Sequence, residues 1–191
     1  MFNTKVEFQS WPKIPRAVLG DVIITEKMDG TNACVIVQNG EIVGVQSRNR
    51  MLNLGKENDN YGFAQHVWDN KEKFLELGEG RHYGEWVGLG IQGNPHCLPE
   101  KRFYLFNTRR FGSHNPPPEG IYVVPTLYHG EYSGDIVDTV MRTLKGTSEA
   151  SGYKAEGIVV YFPRLDSMEK HTFEYSQGKW KAAQENTDGN N

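Results

Sequence analysis

Short apolar blocks separated by turn residues run along most of this chain, and they predict β-strands. Asp21–Lys27 has an apolar centre that predicts a buried strand, and Gly157–Phe162 is rich in β-branched and aromatic residues. Ala33–Val37 and Ile42–Gln46 flank Asn39-Gly40, a dipeptide that strongly favours a tight hairpin turn. Further strands are predicted over His82–Val87, Arg102–Phe106, Ile121–Val124 and His171–Tyr175.

Two segments have the apolar spacing of a helix. Four apolar residues of Tyr61–Leu77 fall on one side of a helix, and Gly78 suits its C-terminal end. These four are Phe63, Val67, Phe74 and Leu77. A second helix is predicted to begin at Ser133 or Asp135, either of which can cap it, and to run to Leu144.

The length of 191 residues suits one domain, predicted over residues 1–182 and followed by a disordered tail over residues 183–191. No apolar run reaches membrane-spanning length, and the N-terminus lacks the layout of a signal peptide. The two cysteines, Cys34 and Cys97, match no metal or redox spacing. We therefore expect a protein of the reducing cytoplasm, encoded by a cell or by a virus, with no membrane partner.

The charge balance limits how the chain can bind a nucleic acid. It has 21 Lys and Arg residues against 24 Asp and Glu residues, which gives a formal net charge of −3. A broad basic face is therefore excluded, since binding along such a face depends on many phosphate contacts. If the partner is a nucleic acid, the positive groups must be concentrated in one groove.

The segment Glu26-Lys27-Met28-Asp29-Gly30-Thr31 carries the first candidate for chemistry. Lys27 ends a predicted strand directly before an Asp-Gly turn, so the strand would hold the lysine still. Gly30 would let a bulky ligand approach the backbone. A lysine that is positioned and deprotonated is a candidate covalent nucleophile, although a solvated turn residue is the simpler alternative.

Side chains suited to a nucleotide follow at the ends of other predicted strands. Glu156 directly precedes a predicted strand and could hold a divalent cation, and Glu85 lies near the end of another strand, in Gly84–Gly88. Lys179 and Lys181 would neutralise phosphate charge in a transition state. Phe106 could stack on a base, which is worth about 1–3 kcal/mol, or belong to the core. These residues predict a nucleotide pocket around the candidate nucleophile.

Taken in order, these segments resemble the motifs of the covalent nucleotidyltransferase superfamily, which includes polynucleotide ligases and messenger-RNA capping enzymes. The matching segments are Lys27-Met28-Asp29-Gly30, Ser47-Arg48, Gly84–Gly88 with Phe103–Phe106, Glu156-Gly157-Ile158-Val159 and Lys179-Trp180-Lys181. Glu26, Gly30-Thr31-Asn32 and the aromatic Phe103–Phe106 are most similar to RNA ligases of the RNA ligase 2 type. The resemblance extends over residues 21–182.

The resemblance implies that ATP is the AMP donor. Lys27 would attack the α-phosphorus, release pyrophosphate and become lysyl-AMP. Arg48 and Glu85 would contact the ribose hydroxyls. Phe106 would stack on the adenine ring, and Glu26 would help to recognise the adenine edge.

The remaining motifs imply the metal and phosphate contacts. Glu156 would bind the catalytic Mg²⁺ or Mn²⁺, and Lys179 and Lys181 would contact the α-phosphate. These cations would also stabilise the departing pyrophosphate. AMP would then pass to a 5′-phosphate end, and an adjacent 3′-hydroxyl would displace it and seal the strand.

We therefore predict an α+β nucleotidyltransferase fold, the ATP-grasp-like fold of ligases, with antiparallel sheets flanked by helices around a nucleotide groove. The predicted function is that of an ATP-dependent RNA ligase that acts as a monomer on RNA 5′-phosphate and 3′-hydroxyl ends. Only residues 182–191 follow Lys181, where ligases of this superfamily carry a second domain. A separate substrate-binding subunit is therefore a further expected partner.

Three alternatives stay open at this stage: a DNA ligase core, a capping-type guanylyltransferase that uses GTP, and a non-catalytic module that binds nucleotides or strand ends. Arg50 also competes with Arg48 as the functional arginine. The run Gly88–Gly93 matches Gly-x-Gly-x-x-Gly, but Asn94-Pro95 follows where a helix would have to begin. We therefore exclude a dinucleotide fold and predict a flexible loop near the pocket.

Overall fold

The structure is a computed structural model that describes residues 20–173. Within these residues nine strands and three helices follow one another. The strands are β1 (Asp21–Lys27), β2 (Thr31–Gln38), β3 (Glu41–Ser47), β4 (Gly80–Val87), β5 (Arg102–Leu105), β6 (Ile121–Val123), β7 (Thr126–Glu131), β8 (Gly157–Phe162) and β9 (Ser167–Thr172). The helices are α1 (Phe63–Asp69), α2 (Lys71–Leu75) and α3 (Gly134–Ala150). No helix in this range is long and apolar enough to cross a membrane.

The first sheet has four strands in the order β7-β1-β8-β9, and all of its neighbours are antiparallel. Its inner face packs against α3, whose N-terminus is capped by Ser133. Val22 and Ile24 of β1 are fully buried there, because alternate residues of a strand point to the same face. The cluster also contains Val137, Val140, Leu144, Ile158, Val160 and Phe162.

The second sheet has five strands in the order β3-β2-β4-β5-β6. Its pairs are antiparallel except for β5 and β6, which run parallel. Helices α1 and α2 cover one face, where Phe63 packs against the rings of Trp86, Phe74 and Phe103. This aromatic core leaves the opposite face of β2, β3 and β4 available to line a groove.

The segment between β1 and β2 joins the two sheets. Met28 is buried against Val87 and Val124, which fixes this crossing point. Gly30 allows the close approach, since a Cβ atom there would lie 2.4 Å from the backbone oxygen of Trp86. Lys27, the last residue of β1, is therefore held where the two sheets meet.

Most of the predicted strands are confirmed. β1 and β8 have the predicted bounds, and the hairpin of β2 and β3 turns at Asn39-Gly40, where both residues have positive φ. β7 was not predicted, because its residues are partly exposed and form no apolar block. This segment is a strand because it pairs with β1. The last strand was predicted too late, at His171–Tyr175. The tight turn after Phe162 starts the pairing already at Ser167.

The helix predicted over Tyr61–Leu77 is two short helices. Asn70 has a non-helical backbone, and both its N–H and its side-chain amide donate to the carbonyl of His66, which ends α1. The second predicted helix begins as expected after Ser133 but continues to Ala150, beyond Leu144. Lys179, Lys181 and the predicted tail lie outside the described residues.

Candidate active site

The register of β1 and β8 brings Lys27 and Glu156 together. Lys27 lies opposite Gly157 in this antiparallel pair, so Glu156 comes directly beside the lysine. The Nζ atom of Lys27 donates to the Oε2 atom of Glu156 at 2.5 Å, and each side chain is 25% exposed. A partly exposed ion pair of this kind remains accessible to a ligand.

Gly157 makes this register possible. Its φ of +153° suits glycine, and a Cβ atom at this position would lie 1.9 Å from the backbone oxygen of His171 on β9. Any larger residue would therefore push β9 away from β8 and displace the neighbouring Glu156.

Glu85 supplies a second carboxyl group from the other sheet. Its position opposite Asn32 in the pairing of β2 and β4 lets the Asn32 amide donate to Glu85 Oε2 at 2.8 Å. Burial raises the pKa of Glu85 to about 7, although the charge of Lys27 and the Asn32 hydrogen bond act in the opposite direction. The negative charges of Glu156 and Asp29 raise it further. Among the described residues, the carboxyl groups of Glu85 and Glu156 both lie near the amine of Lys27, and carboxylate oxygens are the usual protein ligands of a divalent cation.

A buried polar cluster lies behind the lysine turn. The backbone N–H of Asp29 donates to Nε2 of His96 at 3.0 Å, so this ring nitrogen carries no proton. Nδ1 then carries the proton, and it lies 3.7 Å from Oε1 of Glu26. Burial lowers the pKa of His96, an effect that the negative charge of Glu156 partly offsets, which agrees with a neutral ring. His96 therefore anchors the turn that follows Lys27.

Glu26 is 6% exposed and shares this cluster with Tyr153, whose hydroxyl donates to Glu26 Oε2 at 3.3 Å. Burial raises the pKa of Glu26, partly opposed by the hydrogen bond from Tyr153. The other oxygen, Oε1, is buried and has no hydrogen-bond partner within residues 20–173. In the part of the chain that the structure describes, no donor lies within hydrogen-bond distance of this atom, and a buried oxygen of this kind is uncommon.

A cavity of about 840 Å³ opens beside these groups. Five of the residues predicted from the sequence line it: Glu26, Lys27, Arg48, Glu85 and Phe106. Glu156 reaches it through its contact with Lys27. The volume is in the range of nucleotide-sized ligand pockets, which are about 300–1,000 Å³.

The structure also separates the two competing arginines. Arg48 follows β3 and lines the cavity. Arg50 instead donates to the backbone oxygens of Asn58 and Asp59 and holds that loop in place. Phe106 follows β5 with its side chain 44% exposed, so it is not a core residue.

His96 and Tyr153 were missed in the sequence. They belong to loops 67 and 127 residues from their hydrogen-bond partners, and no local spacing connects them with Glu26 or Asp29. His96 follows the run Gly88–Gly93, after which no helix begins before β5, in agreement with the exclusion of a dinucleotide fold. The cavity lining includes none of the residues 88–93, and the contact of this loop with the cavity wall is made by His96, whose Nδ1 lies 3.7 Å from Oε1 of Glu26.

We expect His96→Ala to lower the free energy of unfolding by about 1–3 kcal/mol, because it removes the acceptor of a buried N–H group. The unfolded chain takes up a proton on this histidine near pH 6.5, before the folded chain does. The neutral His96 ring therefore stabilises the folded chain fully above about pH 6.5, and this stabilisation decreases as the pH falls. Urea denaturation at pH 7 and pH 5 measures it.

The exposed His129 provides a matched control, since His129→Ala should leave stability unchanged. His96→Gln, which retains an acceptor, should lose less stability than His96→Ala. An equal loss for His96→Ala at both pH values would show that the ring does not act as a neutral acceptor.

Antiparallel sheets that surround a cavity containing Lys27, Glu85 and Glu156 define a nucleotidyltransferase-type domain. The α+β fold predicted from the sequence is confirmed. A family model described as RNA ligase matches residues 20–180, and the chain belongs to the RNA ligase family. No curated protein matches the chain.

Solved structures of an RNA ligase from Naegleria gruberi are similar to this chain. A lysine-to-alanine variant with ATP and Mn has a TM-score of 0.60 at 19% identity, and the match covers 85% of this chain and 52% of that one. A lysine-to-methionine variant with AMP and Mn has a TM-score of 0.59 at 19% identity, covering 84% and 52%. The ligase with PPi has a TM-score of 0.57 at 20% identity, covering 86% and 53%. This chain thus spans about half the length of these structures.

Proposed function

We propose that the chain is an ATP-dependent RNA ligase that works through a covalent lysyl-AMP intermediate on Lys27. The observation that carries this proposal is the Lys27–Glu156 ion pair, 2.5 Å long, beside a nucleotide-sized cavity that also contains Glu85. The RNA ligase family of the chain supports the substrate class. The Naegleria structures with ATP, AMP and PPi support the nucleotide, since ATP is the substrate of such a step, PPi its leaving group and AMP the group that is transferred.

In the first step the neutral amine of Lys27 attacks the α-phosphorus of ATP. A phosphorus–nitrogen bond forms, the bond to pyrophosphate breaks, and the attacking nitrogen releases one proton to water. The ion pair with Glu156 keeps the amine pointed into the site until a ligand arrives. Because β1 holds the backbone of Lys27, little conformational freedom is lost on the way to the transition state.

Glu156 fits a divalent cation such as Mg²⁺ or Mn²⁺, and Glu85, besides its predicted contact to the ribose, supplies a second carboxyl group nearby. Mg²⁺ usually takes one or two protein carboxylates and completes its shell with water and phosphate oxygens. This matches the described residues, in which no group of three His, Cys, Asp or Glu side chains could hold a metal ion. When bound, the cation would neutralise phosphate charge and withdraw Glu156 from Lys27.

Three side chains of the cavity would hold the nucleoside. Phe106 presents an exposed ring for stacking on adenine, and Arg48 lies where it could reach the ribose. Glu26 also lines the cavity, and its carboxylate would accept from the exocyclic amine of adenine. The preference for ATP over GTP rests on the similarity to the Naegleria ligase with ATP. Lys179 and Lys181 remain the proposed contacts to the α-phosphate.

The first experiment incubates the protein with Mg²⁺ and α-labelled ATP or GTP and then separates it on a denaturing gel. We expect label from ATP on the wild-type protein and none on Lys27→Ala or Lys27→Arg, because neither side chain offers an attacking amine. Lys145→Ala removes an exposed lysine of α3 and should be labelled like the wild type. Label only from GTP would indicate a capping-type enzyme, and no label would indicate a non-catalytic module.

The second step transfers AMP to a 5′-phosphate, and the third seals it to a 3′-hydroxyl with release of AMP. Purified lysyl-AMP protein offered 5′-phosphorylated RNA or DNA strands distinguishes the two polymers. Sealing of DNA alone would replace the RNA ligase proposal with a DNA ligase core.

A further inference from the structure

The cavity continues along β4 beyond the groups assigned to the nucleotide. Arg81, Tyr83 and Glu85 are alternate residues of this strand, and all three line the cavity. They therefore share one face of the sheet. With a rise of about 3.3 Å per residue, Arg81 lies about 13 Å along the strand from Glu85. We call the part of the cavity wall around Arg81 and Tyr83 the outer section.

Unpaired positive charge is concentrated in the outer section. Arg81 is held by Gln46, whose Oε1 atom accepts from its Nη1 at 2.7 Å, and this leaves most of its donors available. Arg109 lines the same cavity from the loop after β5. Neither arginine forms an ion pair with any residue of the range 20–173. By contrast, the neighbouring Arg110 is used by the fold, since it donates to the carbonyls of Leu77 and Glu79.

An exposed aromatic ring lies between these charges and the nucleotide site. Tyr83 is 51% exposed although it lies inside a strand, so its ring has no role in the core. Its carbonyl accepts the N–H of Phe106 at 3.0 Å, which places the two aromatic residues on adjoining strands of one wall. Exposed aromatics beside a positively charged groove are the usual platform for unstacked bases.

We propose that Arg81, Tyr83 and Arg109 bind the single-stranded RNA segment next to the end that is joined. The two arginines would contact backbone phosphates, and Tyr83 would stack on a base. The inference rests on the proposed function and adds the location of the RNA strand to it. A single strand fits better than a duplex, because its bases are free to stack on a protein ring. A binding site confined to one groove also agrees with the net charge of −3, because a chain with no excess of positive groups must concentrate its phosphate contacts in one place.

The test measures the affinity of a fluorescently labelled single-stranded RNA by anisotropy at several salt concentrations, without ATP. We expect the double variant Arg81→Ala/Arg109→Ala to bind more weakly and to reduce the salt slope by about 1.4, or about 0.7 for each phosphate that is no longer neutralised. The control Arg142→Ala/Lys145→Ala removes the same charge from the exposed side of α3. It should leave the slope unchanged. A slope that is equal in the two double variants would overturn the inference.

A second measurement tests the stacking contact. Tyr83→Ala should weaken RNA binding roughly tenfold, which corresponds to about 1.4 kcal/mol, whereas Tyr83→Phe should retain the wild-type affinity. Equal affinity of Tyr83→Ala and the wild type would remove Tyr83 from the site. Equal affinity of the wild type for a blunt duplex would show that no base is stacked.

Measuring the rate of lysyl-AMP formation in the same variants distinguishes RNA binding by the outer section from the proposed nucleotide chemistry. We expect the arginine double variant to lose more RNA affinity than adenylylation rate. A parallel loss of both would mean that these arginines serve the triphosphate of ATP, and the inference would be wrong. If the wild type forms no lysyl-AMP, the proposed function fails, but the anisotropy series still decides whether the outer section binds RNA.

Discussion

Glu156→Gln is expected to reduce the rate of lysyl-AMP formation by about 100-fold or more. Glutamine has the shape of glutamate but not its charge, so the variant loses both the ion pair to Lys27 and the proposed cation ligand. Loss of the ion pair alone would release the amine from Glu156 and would raise the rate. A net decrease in rate would therefore indicate that Glu156 binds the cation. Labelling over a range of Mg²⁺ concentrations measures this effect. The variant should require more Mg²⁺ for half-maximal labelling.

Glu149→Gln is the matched control, because Glu149 is an exposed carboxylate on α3 away from the cavity. It should be labelled at the wild-type rate. If Glu156→Gln retains both the wild-type rate and the wild-type Mg²⁺ requirement, then Glu156 is only a structural partner of Lys27. The metal site would then have to be sought at Glu85 or outside the described residues.

The second large effect is expected for Gly157→Ala, which should lower the free energy of unfolding by about 3 kcal/mol. The new Cβ atom would lie 1.9 Å from the carbonyl oxygen of His171 and 2.8 Å from Cα of Thr172, both of which are backbone atoms of β9. Backbone cannot turn aside as a flexible side chain can, so β9 must separate from β8. Urea denaturation measures the stability, and the same protein should also show slower labelling, because Glu156 moves with Gly157.

Gly40→Ala distinguishes steric overlap from backbone strain. Gly40 has a φ of +72° in the β2–β3 turn, and a Cβ atom there would meet nothing within 4 Å. This variant should lose only the strain of about 1–2 kcal/mol, without effect on labelling. Similar losses for the two variants would show that β9 is not pressed against Gly157.

Several parts of the site could be predicted because they depend on residues close together in the chain. Lys27 ends an apolar strand before an Asp-Gly turn, and the Asn39-Gly40 hairpin identifies β2 and β3. Arg48 then follows β3 directly. Strand ends, turns and the order of motifs are local properties, so the candidates Lys27, Glu85, Phe106 and Glu156 could be named before any pairing was known.

Other parts could not be predicted, because they depend on which strands pair and how they are aligned. His96 and Tyr153 reach the lysine turn from loops far along the chain. The break at Asn70 depends on a single side chain that donates to His66, which the apolar spacing around it does not reveal. The polar groove face of β4, which carries Arg81 and Tyr83, has no apolar pattern that would distinguish it from an ordinary solvent-exposed face.

The sequence by itself determined which chemical groups the protein has and the strand ends from which they project, because hydrophobic alternation and turn residues act over a few positions. Only the tertiary structure decided that Lys27 meets Glu156, since one residue of slip between β1 and β8 would turn that carboxylate to the other face. It also decided the elevated pKa of Glu85, which arises from burial between two sheets. These properties come from contacts between distant segments, and they exist only once the two sheets have packed around the cavity.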